Sequence, residues 1–365
     1  MWKSKKEQEI AAYRDVSNVH DLPDSQIYVS QAFLAPLLRE RIGFPDYPTM
    51  VEEHVKRAQE RRGSPARVAS LGAGNCDTEI AVAQKLGCKV DCFELNPHML
   101  ERARQVAQER GLSGLMTFHE TDLNEARLPG TYDVFLAEHS LHHVVRLEHL
   151  FDEVDRTMDP HGVFLINDMV GRDGHMFYPS TLDLVQRIWA TLPRDLKLDR
   201  QKNRHVPRRT QLDFSRHGFE GVRAGDILPE LDRRFRFKEL GTFYAITTKF
   251  LDREFGHNFD VSQPRDKAVV DMIWHQDHFA LTSKILRPTQ MISAVVKKGA
   301  DVKTRFTYFE HPREIFELDE SRYWQVYDRQ PLATRIVSSV AGAPAAISGV
   351  GPIDFAWGLW ASRGR

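Results

Sequence analysis

The sequence predicts a doubly wound α/β protein on a mostly parallel sheet, and three observations predict it. Between Arg67 and Asp168, short apolar runs alternate with segments of helical periodicity. A glycine-paired turn, Gly72 and Gly74, joins the first apolar run to the first of those helices. An acid, Glu94, ends the second run about twenty residues beyond the glycines, the arrangement that binds the nucleoside half of a cofactor.

Residues 1–63 read as an N-terminal helical cap, because SQAFLAPLLRERIG and TMVEEHVKRAQERR carry apolar residues at helical spacing. Gly63, Ser64 and Pro65 then punctuate the entry to the sheet. ARVASL is a strand, a helix starts at Asp77, and KVDCFE is the next strand. Another helix opens at Pro97, where proline's missing N–H costs nothing. LMTFH and YDVFLAEH follow as strands, then a helix around LEHLFDEVDRTM, a turn at Asp159–Gly162 and the strand GVFLINDM. Strands separated by helices of this length pair in parallel, with helices on both faces.

Beyond Asp168 the alternation loosens. A helix is expected from about Ser180 to Thr191, then the basic loop KLDRQKNRHVPRR. FEGVRAGDIL and FRFKELGTF look strand-like, and QMISAVVKK reads as the last strand. A helical insert at about 249–287, before that last strand, reads as a substrate lid. The expected division is a cap at 1–63, a sheet domain at 64–299 and a C-terminal extension at 300–365. The extension carries SSVAGAPAAISGVGP, a linker-like composition.

Composition narrows the classes. With 50 basic and 51 acidic residues among 365, no global charge draws the chain to nucleic acid or an anionic membrane. No apolar run is long enough to span a bilayer, and the N-terminus lacks the apolar core of a signal peptide. Cys76, Cys88 and Cys92 read as reduced apolar residues of a cytoplasmic protein, and no Cys-x-x-Cys pair suggests structural zinc.

The turn itself discriminates between cofactors. A dinucleotide site needs a third glycine and places a pyrophosphate on the helix N-terminus. Here Cys76 and the anionic Asp77 stand there instead, which favours a cationic ligand without phosphate. At this point the chain resembles the class I S-adenosylmethionine-dependent methyltransferases. The resemblance rests on LGAGN (71–75), FELNPHML (93–100), ETDL (120–123), YDVFLAEHSLHHV (132–144) and LEHLFDEVDRTMDPHGVFLINDM (147–169). It implies that family's seven-stranded-type sheet, S-adenosyl-L-methionine as cofactor and S-adenosyl-L-homocysteine as product. It also implies that Gly72 and Gly74, with Asn75, pass under the methionine portion. Glu94, with Leu95, would take the ribose hydroxyls. Asp122 would read the adenine amino group with Leu123 beside the ring, and Glu138 or His139 would border the methyl group. The chain departs from the family at Ser70, where an acid is usual, and at Cys76, where a small residue is usual.

A sulfonium methyl is already activated, so the protein has to align a nucleophile and remove its proton. Two clusters lie where ligands bind, at the C-terminal ends of strands. His139, His142 and His143 follow the fourth strand. Asp168, Asp173 and His175 follow the fifth, on a loop loosened by Gly171 and Gly174. Asp168, His175 and His142 are the candidate catalytic residues, with Asn167 and Tyr178 as neighbours; packing roles compete for His142 and Tyr178. In the insert, His275 and His278 share a helix face near Asp277, but spacing fixes no third ligand and helix-surface polarity explains the same letters, so no metal is expected. Asp21, Asp24 and Tyr28 suit a cap over the site. The basic residues Lys197, Arg200, Lys202, Arg204, Arg208 and Arg209 read as a solvated loop, since no aromatics interleave them.

The expected activity is therefore metal-independent methyl transfer to nitrogen or oxygen of a small polar molecule: an amino acid, a natural-product intermediate or a sugar. No nucleic-acid or membrane partner is expected, and homodimerisation is left open. The alternative is a non-catalytic S-adenosylmethionine- or S-adenosylhomocysteine-binding regulatory protein of the same fold.

Overall fold

A computed structural model describes Lys6, Glu7, Ile10, Ala11 and residues 21–327. His20 and the linker-like segment after Ser338 lie outside the described residues.

From Asp24 the chain forms α1 (Asp24–Val29), continues through a wide turn at Ser30–Leu34 into α2 (Ala35–Ile42), and then forms α3 (Tyr47–Arg62). Asp46 caps α3 by accepting the Thr49 N–H at 2.8 Å, and Gly63, at φ 66°, ends it in the left-handed region. The sheet then builds as β1 (Arg67–Leu71), α4 (Asp77–Leu86), β2 (Lys89–Glu94), α5 (Pro97–Glu109), β3 (Met116–Glu120), β4 (Tyr132–Glu138), α6 (Leu147–Thr157) and β5 (Met158–Met169). There follow α7 (Pro179–Thr191), the small hairpin β6 (Leu198–Asp199) and β7 (Arg204–His205), α8 (Ala224–Arg234) and β8 (Phe235–Phe243). The chain goes on through α9 (Thr248–Leu251), α10 (Pro264–Thr282), β9 (Gln290–Lys297), β10 (Arg305–Phe306), α11 (Arg313–Phe316) and α12 (Ser321–Tyr327).

Among the described residues, eight strands form one sheet in the order β10-β8-β9-β5-β4-β1-β2-β3. β1 to β5 pair in parallel, whereas β9 runs antiparallel to both β5 and β8. Burial explains the central position of β4: Tyr132 to Ala137 are all buried, so both faces are covered. One covering layer is α3, packed on β4 and β5 beside α4. The core includes Phe135, Phe151, Phe164 and Phe235, which meet edge to face at 6.1–6.2 Å. In register, Leu71 lies beside Phe93 and Glu138 beside Asn167, so the C-terminal ends of β1, β2, β4 and β5 form one rim.

Three sequence expectations change. FEGVRAGDIL is not a strand: it forms a turn and the start of α8, because Ala224, Ile227, Leu228 and Leu231 bury one helical face. The Asp159–Gly162 turn does not precede β5 but interrupts it, with His161 N–H bound to Asp159 Oδ1 at 2.8 Å and a register shift opposite Tyr132 and Val134. QMISAVVKK is not the last strand, since β10 in the C-terminal extension pairs in parallel with β8 and raises the count from seven to eight. No helix among the described residues is long and apolar enough to cross a membrane.

Candidate active site

The loop after β1 is a tight backbone cradle. Gly72 has φ 71°, and a Cβ there would lie 2.5 Å from the Ser140 Cβ. Ser140 in turn donates its hydroxyl to the Leu71 carbonyl at 2.7 Å, locking the loops after β1 and β4 together. Gly72 and Ala73 N–H reach the Phe93 carbonyl, and Gly74 N–H reaches Glu94 Oε2 at 2.9 Å. Cys76, at φ 60°, is a non-glycine residue in the left-handed region just before α4. Backbone bends this sharply over a Cβ-free floor where the glycines were expected.

Glu94 stands at the end of β2 with each carboxylate oxygen holding one backbone N–H, Oε2 from Gly74 and Oε1 from Asn96 at 2.8 Å. Burial raises its pKa while those N–H groups oppose the rise. A carboxylate offers about four acceptor sites, so Glu94 retains capacity for a vicinal diol. Asp122 Oδ1 accepts from the Asn124 N–H and side-chain amide, and Oδ2 faces Lys6 Nζ at 3.3 Å. Leu123 is buried beside it, Leu95 is half-buried, and Asn75 accepts from Arg102 at 3.2 Å. Glu138 accepts from Thr78 Oγ1 at 2.8 Å and from Asn167 at 3.2 Å, and exposed His139, at φ 50°, donates its N–H to the Asn167 carbonyl. These groups suit an adenosine with a cationic tail: a diol acceptor, an amine acceptor and carboxylates near the glycines. Ser70, where the family carries an acid, donates to the buried carboxyl of Glu79 at 2.5 Å, so α4 supplies an acid that β1 lacks.

The second cluster forms beyond β4 and β5. Asp168 is fully buried and accepts N–H groups from Ser140 (3.1 Å), Leu141 (2.7 Å) and Met169 (2.7 Å). It also holds His142 Nδ1 at 2.5 Å. The other face of His142 looks toward Glu220 Oε1 at 3.5 Å. His175 Nε2 is 2.8 Å from the same oxygen, and His143 Nε2 is 3.6 Å from Oε2. Burial alone would depress the His142 pKa, but Asp168 and Glu220 outweigh it and push it up to about 10. Burial lowers the His175 pKa, against the pull of Glu220. Burial opposes ionisation of Glu220, yet its hydrogen bonds to His142 and His175 hold it well below the usual carboxylate range.

Local backbone geometry delivers Glu220. Gly174 N–H binds the Gly221 carbonyl at 2.8 Å, Gly225 N–H binds Asp173 at 3.0 Å, and Arg223 clamps Glu148 and the Val145 carbonyl. The turn before α8 is thereby pinned to the loops after β4 and β5. Sequence reading missed Glu220, which lay inside the segment taken for a strand; a helical reading of Ala224–Leu231 would have freed it for a loop.

The sequence-selected residues divide accordingly. His142, Asp168 and His175 come together, with Asp168 fully buried behind His142. Asn167 is spent on Glu138, and Asp173 on the Gly225 N–H. Tyr178 lies under Arg287, 4.8 Å from its guanidinium. The insert pair is also spent: His278 meets Tyr308 at 3.0 Å, His275 packs on Phe33, and buried Asp277 accepts the Ala245, Ile246 and Thr247 N–H groups. In the cap, Tyr28 donates to Asp271 at 2.8 Å, Ser25 donates to the Gly256 carbonyl, and Phe33 stacks on Trp274. The basic loop is less solvated than expected. Arg209 lies over Trp189 and Phe255, and Lys202 pairs with Glu254 at 2.8 Å.

Comparison with known proteins bears on these groups. A family model described as a methyltransferase domain matches residues 69–166. A sarcosine/dimethylglycine N-methyltransferase of Aphanothece halophytica is 27% identical over 132 residues, 35% of this chain and 48% of that protein. Its counterpart from Halorhodospira halochloris is 25% identical over 122 residues, 33% and 44% respectively. The chain thus spans about half the length of the curated relatives it matches. Among solved structures, an O-methyltransferase from a trans-AT PKS multienzyme of Brevibacillus brevis, in complex with S-adenosyl-L-homocysteine, is similar at 14% identity and a TM-score of 0.40. That match covers 88% of this chain and 92% of the other.

Proposed function

From a chain that carries a class I S-adenosylmethionine-dependent methyltransferase domain, we propose an enzyme that methylates a nitrogen or oxygen of a small polar molecule. S-adenosyl-L-methionine would supply an activated methyl group and leave as S-adenosyl-L-homocysteine. One observation carries the reading. The cluster of His142, His175 and Glu220, oriented by Asp168, faces the same rim as the Gly72–Gly74 cradle and Glu94.

The residues divide the work. Gly72, Gly74 and Asn75 line the floor under the methionine portion, and Glu94 accepts from the ribose hydroxyls. Asp122 reads adenine once Lys6 gives way, with Leu123 against the ring. Glu138 and His139 border the methyl group. His175, whose pKa burial lowers, takes up the acceptor's proton, with His142 and Glu220 beside it and Asp168 fixing the orientation of His142.

The insert and cap support a small acceptor, because α1 packs on α10 through Tyr28 and Phe33 stacks on Trp274 beside it, making a roof that we place over the site. That roof argues against a protein or duplex substrate. The names of the curated relatives support an amino group as the acceptor. No observation favours the non-catalytic alternative.

Calorimetry tests the cofactor reading. S-adenosyl-L-homocysteine is expected to bind in the micromolar range, and Glu94→Ala to weaken it about tenfold or more, the worth of a charged hydrogen bond. Tight binding of NAD with none of the adenosyl ligand would sink it. In a substrate screen, Asp168→Asn and His175→Ala should each lower turnover more than cofactor affinity; unchanged turnover in both removes this cluster from the chemistry.

A further inference from the structure

We propose that His142, His175 and Glu220 form a binding site for one divalent transition-metal ion, with His143 at its edge. The inference takes its location from the site above but does not require methyl transfer. It departs from the metal-free expectation, which considered only the histidines of the insert.

The ligand atoms of the three residues all lie within 4.8 Å of one another. Their tautomers follow from the surroundings. Asp168 accepts three backbone N–H groups and is therefore an ionised acceptor, so His142 Nδ1 must donate to it. That leaves His142 Nε2 on the side facing Glu220 Oε1, which is itself an acceptor. A positive centre between the two atoms, a proton on Nε2 or a shared metal ion, would satisfy both at 3.5 Å.

Distance separates the candidates for that centre. A hydrogen bond of this type spans about 2.7–3.2 Å, so 3.5 Å is too long for a good one. Two ligands bonded to a common zinc-like ion at about 2.0–2.2 Å, at a tetrahedral angle, lie about 3.4 Å apart. The separation from His142 fits the shared ion, and His143 at 3.6 Å from Oε2 is placed similarly. His175, at 2.8 Å, would have to open by about half an ångström to reach the same ligand spacing. Glu220 can accommodate that, since its side chain is 32% exposed at a turn, whereas His142 is fixed at 3%.

The outer contacts are those of a metal ligand. An imidazole that binds a metal usually donates its other N–H to a carboxylate, which fixes its orientation, as Asp168 does for His142. Two imidazoles and one carboxylate suit Zn2+, Co2+ or Fe2+ better than Mg2+ or Ca2+, which take oxygen ligands. Three protein ligands leave a fourth position, open to His143 or to a donor atom of the acceptor.

The test uses the full chain after chelator treatment. Titration with Co2+ should produce the visible absorption of nitrogen- and oxygen-bound cobalt, and calorimetry with Zn2+ should give one ion per chain. His175→Ala and Glu220→Gln should each weaken Zn2+ at least tenfold, and Asp168→Asn about 10- to 100-fold through the outer contact. His275→Ala, in the insert, should leave binding unchanged. S-adenosyl-L-homocysteine binding, measured on the same samples, reports separately on the cofactor reading and on folding of each variant. The proposal is overturned if wild-type protein yields no cobalt spectrum and no Zn2+ heat, or if the His175→Ala/Glu220→Gln double variant binds Zn2+ as tightly as wild type.

Discussion

Glu79→Gln should make the protein more stable in mild alkali and flatten its pH response. Glu79 is 4% exposed, and burial pushes its pKa from the ordinary 4.5 to about 7, against the opposing hydrogen bond from Ser70. A folded-state pKa above the unfolded value means that folding takes up a proton. The resulting stabilisation is complete below pH 4.5 and is lost as the pH rises through 7. The loss is at most about 3 kcal/mol, from about 1.4 kcal/mol per unit over the interval. Glutamine keeps the volume and still accepts from Ser70 Oγ at the position now 2.5 Å away. The variant should therefore match wild type within about 1 kcal/mol near pH 4.5 and exceed it by up to about 3 kcal/mol near pH 8.5. Urea denaturation followed by tryptophan fluorescence at both pH values measures this, and a Tm difference of roughly 4–5 °C at the higher pH is the thermal counterpart. Parallel pH profiles for the two proteins, or a variant less stable than wild type near pH 8.5, would refute the reasoning.

Other substitutions probe separate parts of the fold. Gly72→Ala places a Cβ 2.5 Å from Ser140 Cβ at φ 71° and should cost about 2 kcal/mol or more while abolishing S-adenosyl-L-homocysteine binding, read by denaturation and calorimetry. Asp277→Ala orphans the Ala245, Ile246 and Thr247 N–H groups in the interior and should cost about 3 kcal/mol or more, with limited proteolysis cutting first in the insert. His54 is held neutral with a pKa of about 3, by burial first and then by the nearby Lys238, Arg57 and Arg305 cations. Its depressed value means stability is present above 6.5 and falls as the pH drops toward 3, by up to about 5 kcal/mol. His54→Gln should reduce that acid sensitivity in a denaturation series, and an unchanged acid limb would count against it.

The parallel half of the fold was legible because most of its strands from Arg67 to Met169 are apolar runs, and the helices between them carry apolar residues at helical spacing. The carboxylates at strand ends, Glu94 and Asp122, could be located for the same reason: their place depends on local order. Glu220 was not legible. It reaches His142 through the Gly174–Gly221 and Asp173–Gly225 hydrogen bonds and the Arg223–Glu148 clamp, which join segments far apart in the chain and leave no periodic trace. The Ala224–Leu231 pattern misled because a short apolar segment fits a strand or a buried helix equally well until its packing partner is known. For the insert histidines, sequence spacing fixed a shared face but not its partners. Their i and i+3 spacing puts both on one helix face, but Tyr308 from the extension and Phe33 from the cap already meet them there.

Strand β10 has a consequence for how the molecule behaves in company. It is two residues long, Arg305 and Phe306, yet it covers the side of β8 away from β9, where the sheet would otherwise end in a long, buried, apolar strand. An open edge of that kind is a template for another chain. The same residue, Arg305, reaches the fully buried carboxylate of Glu239 at 2.5 Å, so the extension also neutralises a charge the sheet cannot solvate. A chain stopped at Gly299 would lose both at once. It should gather into oligomers through β8 during refolding, which places the colloidal stability of the sheet in residues beyond its last long strand.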